Sequence, residues 1–273
     1  MEKKWWHKTV GYQIYPKSFQ DTNGDGIGDL KGVIRHLDKI EKLGANVIWL
    51  CPVFASPMVD NGYDISDYMD IDPSFGTMED MKELIEEAKK RGIRILMDLV
   101  VNHSSDRHAW FQAALKDPFG KYGKYYVFRE GKDGKEPNNW RSIFGGSAWE
   151  KVPGYDNLYY LHIFTKEQPD LNWENQELRE EIYEMILKWM DLGLGGFRLD
   201  AISHLKKNYQ YTNLPPDGPD EYNMAFEYFN NVDGLADILR EMKERTFAPT
   251  DALTIGEYDH MGPEDVEDVI GEN

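Results

Sequence analysis

Five short apolar runs, separated by stretches of helical periodicity, constrain this chain more than any other feature. The runs are Val10–Tyr15, Ala45–Leu50, Ile93–Asp98, Gly196–Asp200 and Ala252–Glu257. Each has the length of a buried strand and is too short for a helix. Between them, Leu30, Val33, Ile34, Leu37 and Ile40 recur at i, i+3, i+4, i+7 spacing and predict a helix. Met78, Met81, Leu84, Ile85 and Ala88 predict a second. Leu178, Ile182, Met185, Ile186 and Trp189 predict a third, ending near the glycines at 193, 195 and 196. Leu235, Ile238, Leu239 and Met242 predict a fourth. Strands that alternate with helices pair in parallel, with the helices outside. The expected fold class is α/β: a (β/α)8 TIM barrel truncated after about five strands.

The rhythm breaks once. Residues 104–170 are rich in Gly, Asn, Tyr and Trp and carry no long helical pattern after about residue 116. That is too much chain for a plain loop. A small domain inserted after strand 3 is expected there, between barrel segments 1–103 (strands 1–3) and 171–273 (strands 4–5). A closed barrel needs eight strands, and the sequence ends at Asn273, just past the start of a possible fifth helix. The expectation is the N-terminal part of a longer protein.

Composition narrows the partners. The 31 Lys and Arg against 49 Asp and Glu leave a formal charge of −18. That argues against nucleic acid, whose phosphates need clustered cations, and against an anionic membrane surface. It suits a neutral or cationic small molecule, though solubility alone also explains it. No apolar run is long enough to span a bilayer. The basic N-terminus is not followed by the apolar stretch of a signal peptide, so the cytoplasm is the expected address. Cys51 is the single cysteine, so no intrachain disulfide can form, and it reads as a small buried hydrophobe. Aromatics are plentiful, which suits sugar-stacking walls as well as core. No obligate protein partner is indicated.

Three acids close barrel strands: Asp98, Asp200 and Glu257. Barrel chemistry sits at the C-terminal face, so the three converge on one mouth. Each on its own also reads as a polar strand end capping the next helix. Arg198 stands two residues before Asp200 and shares its strand face. An adjacent guanidinium would keep Asp200 ionised, as a nucleophile needs, with Glu257 as a protonated acid; such a pair is the glycosidase arrangement. No His-Glu-x-x-His zinc motif, Gly-x-Ser-x-Gly elbow or phosphate loop occurs.

A separate motif runs from Asp21 to Asp29. Asp21, Asn23, Asp25, the Ile27 carbonyl and Asp29 occupy calcium-loop positions 1, 3, 5, 7 and 9, with Gly26 at position 6. Gly32 stands at position 12, where an EF-hand has a bidentate Glu. A structural Ca²⁺ (or Mg²⁺) is expected, the alternative being an Asx-rich turn that caps the helix starting near Leu30.

Taken together, the motifs resemble those of the α-amylase superfamily, glycoside hydrolase family 13, and within it the oligo-1,6-glucosidase/α-glucosidase group. Asp98-Leu-Val-Val-Asn-His103, Gly196-Phe-Arg-Leu-Asp200, Ile255-Gly-Glu257 and Gln168-Pro-Asp-Leu-Asn172 match four conserved regions of that family. The resemblance implies a retaining α-glucosidase acting on short oligosaccharides. Asp200 would be the nucleophile and Glu257 the general acid/base. Arg198 and His103 would hold glucose hydroxyls, Asp60 and Tyr63 would close the non-reducing end, and Phe144, Phe164 and Gln168 would form further walls. Domain core is the alternative reading of the two phenylalanines. A cation at the Asp21–Asp29 loop is also implied. The family's fourth region, with its third catalytic carboxylate, and its C-terminal domain have no counterpart up to Asn273; inactivity of the chain by itself is therefore expected. The residue after the nucleophile, Ala201, leans towards α-1,4 links. A same-fold transglucosylase or isomerase of the sucrose or trehalose type, and a non-catalytic sugar-binding relative, are the rival readings.

Overall fold

A computed structural model of the chain describes residues 4–260 and 262. At its centre five parallel strands lie side by side in chain order. They are β1 (Gly11–Ile14), β2 (Val47–Leu50), β3 (Arg94–Val100), β4 (Gly196–Asp200) and β5 (Leu253–Gly256). All five apolar runs became strands of one sheet, as the alternation predicts, and the architecture is that of a barrel followed through five strands. In β3 every residue after Arg94 is buried, as expected for a parallel strand covered on both faces. β4 and β5 come close at Gly196, whose φ is +145°. A Cβ there would sit 1.8 Å from the Leu253 carbonyl oxygen, so the pairing depends on glycine.

The α-helices of six residues or more are α1 (Leu30–Arg35), α2 (Leu37–Lys42), α3 (Met78–Lys90), α4 (Ala109–Lys116), α5 (Gln176–Asp191) and α6 (Leu235–Met242). Their periodic residues form the buried stripes: Met81, Leu84, Ile85 and Ala88 on α3, and Leu178, Ile182, Met185, Ile186 and Trp189 on α5. A capping box opens α3, where the Thr77 hydroxyl accepts from the Asp80 amide at 3.2 Å and the Asp80 carboxylate accepts from the Thr77 amide at 2.9 Å. The helix predicted over residues 30–40 is instead two. It breaks at His36, which has φ −109° and ψ 6°. The His36 ring is engaged by the preceding loop, with Nε2 3.1 Å from Gln20 Oε1 and an edge contact to Phe19 at 5.6 Å. Tertiary contacts there override a continuous apolar period.

Between β3 and α5 the chain forms a three-stranded antiparallel sheet, in which Leu158–Leu161 lies between Phe128–Glu130 and Trp149–Lys151. Its core is not its own. Val127, Trp140, Trp149, Leu161 and Ile163 pack with Ala225 and Phe229 from the connection between β4 and α6. Trp140–Arg141 pairs in parallel with Asn223–Met224. The Trp140 indole donates to the Thr212 carbonyl at 3.0 Å. The possible helix after Glu257 lies outside the described residues. Among the described residues no helix is long and apolar enough to cross a membrane.

Candidate active site

The parallel register sets Asp98 of β3 beside Arg198 of β4, and the two-residue strand period places Asp200 on the same face as Arg198. The guanidinium then gathers the strand-end acids. Arg198 Nη1 lies 2.5 Å from Asp98 Oδ1 and also donates to Asp200 Oδ1, while Nη2 lies 2.7 Å from Glu257 Oε2. The Glu257 carboxylate accepts in addition from the Ala201 amide at 3.2 Å. Ala201 makes this bond from a left-handed conformation, φ +47°, just past the end of β4. Trp49 of β2 donates its indole N–H to Asp98 Oδ2 at 2.9 Å.

One cation among three carboxylates leaves the group short of positive charge. Burial pushes Asp98 up to about 6, against the pull of Arg198. Burial also raises Asp200 above the ordinary carboxylate range. Arg198 opposes the shift, but the charges of Asp98 and Glu257 add to it. Arg198 therefore favours the ionised form of Asp200, as expected, but it is shared with Asp98 and Glu257, and burial of Asp200 works against it.

Arg198, Asp200, Ala201 and Glu257 lie at the floor of a cleft of about 310 Å³ that Asp60, Tyr63, His103 and Phe164 also line, with Asp98 buried beneath it. Seven of the nine expected catalytic and sugar-binding residues are thus wall residues. Gln168 sits behind the wall, fully buried, where its Nε2 donates to Asp60 Oδ2 at 3.0 Å and to the Tyr63 carbonyl at 3.2 Å. Phe144 stands one ring farther out, 59% exposed, with its ring 5.6 Å from that of Phe164. It is neither cleft lining nor domain core. His103 is buried, and burial lowers its pKa to about 4, so the ring is neutral near pH 7.

Sequence reasoning missed Lys207. Its side chain is completely buried, with Nζ 2.9 Å from Asp170 Oδ2 and 2.7 Å from Asn102 Oδ1. In the run His204-Leu-Lys-Lys-Asn208 it looks like one of two solvated lysines. The only signal was Asp170 itself, an acid between Pro169 and Leu171 that needs a cation once buried.

The Asp21–Asp29 loop is organised by its own amides. Asp21 accepts from the amides of Asn23, Gly24 and Gly26, Asn23 Oδ1 from that of Asp25, and Asp25 Oδ1 from that of Ile27. Asp29 is turned into the fold, where Oδ1 caps α1 through the Gly32 amide at 2.7 Å and Oδ2 accepts from Thr22. Among the described residues no three His, Cys, Asp or Glu side chains converge as a metal-holding group. No described Lys or Arg pairs with Asp21, Asp25 or Asp29, so the donor set, all oxygen with three carboxylates, is of the type a hard cation takes. Gly32 is glycine because a Cβ there would lie 2.1 Å from the Gln20 carbonyl oxygen, which excludes a ligand side chain at position 12.

Comparison with known proteins agrees with this architecture. The family described as alpha amylase, catalytic domain, matches residues 13–269. An oligo-1,6-glucosidase of Parageobacillus thermoglucosidasius is 49% identical over 268 residues, covering 97% of this chain and 47% of that protein. A glucan 1,6-alpha-glucosidase of Streptococcus pneumoniae is 52% identical over 267 residues, covering 97% of this chain and 45% of that protein. The solved structure of a trehalulose synthase variant in complex with Tris superposes with a TM-score of 0.92 at 46% identity, covering 98% of this chain and 48% of that one. The chain therefore spans about half the length of the curated relatives it matches. With sequence matched almost end to end and the fold shared, this chain belongs to the α-amylase family.

Proposed function

We propose that the protein containing this chain is a retaining α-glucosidase that removes terminal α-linked glucose from short oligosaccharides. The observation that carries the reading is the convergence of Asp200 and Glu257 on one guanidinium, at the floor of a cleft with an aromatic wall. Carboxylates that share a guanidinium are held close, and close pairs go with retention. In this reading an Asp200 oxygen attacks the anomeric carbon as the glycosidic C–O bond breaks, and Glu257 gives its proton to the leaving oxygen. Glu257 then takes a proton from water, whose oxygen attacks the same carbon and frees Asp200. His103, Arg198 and Asp60 hold hydroxyls, and Tyr63 and Phe164 face the ring. The test is mass spectrometry after exposure to a fluorinated glucosyl donor that deglycosylates slowly. A fluorohexosyl adduct on Asp200, lost in Asp200→Asn, is expected; an adduct elsewhere, or inversion at the anomeric carbon, overturns the reading.

The likeness to a trehalulose synthase supports a second reading, transfer of the glucosyl unit to a sugar in place of water. Product analysis with sucrose separates the two. Linkage is a further question. The two relatives' names carry 1,6, whereas Ala201 leans towards α-1,4 links; isomaltose cleaved at least about tenfold faster than maltose would set that lean aside.

We further propose that Asp21, Asn23, Asp25, the Ile27 carbonyl and Asp29 hold one Ca²⁺ or Mg²⁺. The ion would stiffen the loop after β1 without touching substrate. Calcium titration calorimetry is expected to show one site, weakened by Asp25→Asn; a flat trace for the folded chain counts against it.

A further inference from the structure

The buried lysine that sequence reasoning missed acts on the cleft through two intermediaries. Lys207 Nζ carries only donors, so the Asn102 atom 2.7 Å away is the amide oxygen. That fixes the other end of the amide as NH₂, which lies 3.1 Å from His103 Nδ1. An NH₂ group can only donate, so Nδ1 must present its lone pair. The proton of the neutral ring is then on Nε2, which meets the Tyr63 carbonyl oxygen at 2.9 Å. Gln168 is consistent with this. Its Oε1 accepts from the Thr165 amide and hydroxyl, and its two N–H groups have acceptors in Asp60 and Tyr63. The 3.1 Å approach of Gln168 Nε2 to His103 Nε2 is then packing between two N–H groups.

Every member of the chain Asp170, Lys207, Asn102 and His103 is at most 2% exposed. The hydrogen-bond pattern is therefore set by these side chains themselves. We propose that Lys207 is a positioning residue: its ammonium, anchored by Asp170, locks the Asn102 amide and thereby holds His103 as the Nε2–H tautomer, whose one N–H ties the ring to the Tyr63 carbonyl and so fixes its place in the cleft wall. The tautomer does not depend on the glucosidase reading.

The experiment is a long-range ¹H–¹⁵N correlation on the ¹⁵N-histidine-labelled chain at pH 7, which separates protonated from bare ring nitrogens. His103 is expected to be protonated at Nε2 alone. In Asn102→Asp the carboxylate keeps its bond to Lys207 but can only accept from Nδ1, so the proton is expected on Nδ1. In Lys207→Met combined with Asp170→Asn, which removes both buried charges together, the Asn102 amide is released and Nδ1–H is expected to appear beside Nε2–H. An Nδ1–H ring in the unsubstituted chain overturns the proposal. So does a ring that stays wholly Nε2–H in both folded variants. Loss of the fold in both also counts against it, because the ammonium would then be serving the fold alone. None of these outcomes depends on whether the protein cleaves glucosides.

Discussion

Arg198 carries one positive charge and touches three carboxylates, so the proton balance of the site depends on how many of them stay ionised. Asp98 is the member with no assigned bond-breaking role, and its charge is among the causes that raise Asp200. Asp98→Asn keeps the shape, removes that charge and leaves Arg198 freer to pair with Asp200. Both effects favour the ionised form, so the Asp200 titration is expected to move down by about one pH unit. ¹³C-carboxyl NMR of aspartate-labelled protein reads it directly, and an unmoved or raised midpoint would contradict the account. Histidine sets a different pH limit. His108 is the N-cap of α4 and accepts from the Trp110 amide through Nδ1 at 3.1 Å, which requires a bare nitrogen. Burial lowers its pKa to about 4 from the ordinary 6.5. The unfolded chain therefore binds the proton first, and stability is lost as pH falls from about 6.5 to about 4, on the order of 3 kcal/mol for this group. His108→Asn keeps an N-cap acceptor that does not titrate. Urea unfolding at pH 7 and pH 4.5 should show a smaller stability loss in the variant than in the parent chain; equal losses would exclude His108 as a source.

Among the elements, the strands were the most legible part of the sequence, because buried parallel strands appear as unbroken apolar runs such as Val47–Leu50. Helix faces were legible for the same reason, at a longer period. His36 was not, since its break in the first helix comes from a loop partner whose position no local pattern encodes. In the site, motif residues at strand ends were readable because the register alone brings them together. Phe144 was misjudged because an aromatic in a glycine-rich loop reads the same whether it lines a cleft, fills a core or stands at a rim. Lys207 was hidden because a lysine carries no sign of burial; its partner Asp170 does. Gly196 was legible as a helix stop and a strand start, but not as the residue that governs the β4–β5 contact. Gly196→Ala must push Leu253 away or bend β4, and the cost is expected to be on the order of 3 kcal/mol or more. Thermal unfolding against the parent chain measures it. A loss under about 1 kcal/mol would mean that β5 yields easily.

For the whole molecule, the outer strands of the described sheet are β1 and β5, and both present apolar side chains to solvent. Tyr12 of β1 is 38% and Ile255 of β5 41% exposed, and Val10, just before β1, is 56% exposed. Uncovered edges of this kind pair with other edges. Residues 1–273 are expected to self-associate at micromolar concentration, and the combined Tyr12→Lys and Ile255→Lys changes to shift them towards monomer. Light scattering on a sizing column decides: a parent chain already monomeric at high concentration would refute the expectation. A different consequence follows from the second core, where Trp149 of the antiparallel sheet and Trp140, just before it in the chain, pack with Ala225 and Phe229. During synthesis the sheet emerges well before the segment that completes its core, so its tryptophans must wait, unsealed, until the chain has been made as far as Phe229. Exchange of parts between relatives meets the same constraint: a graft of the antiparallel sheet alone leaves half a core behind, and the two segments have to travel together, though a stretch of barrel separates them in the gene.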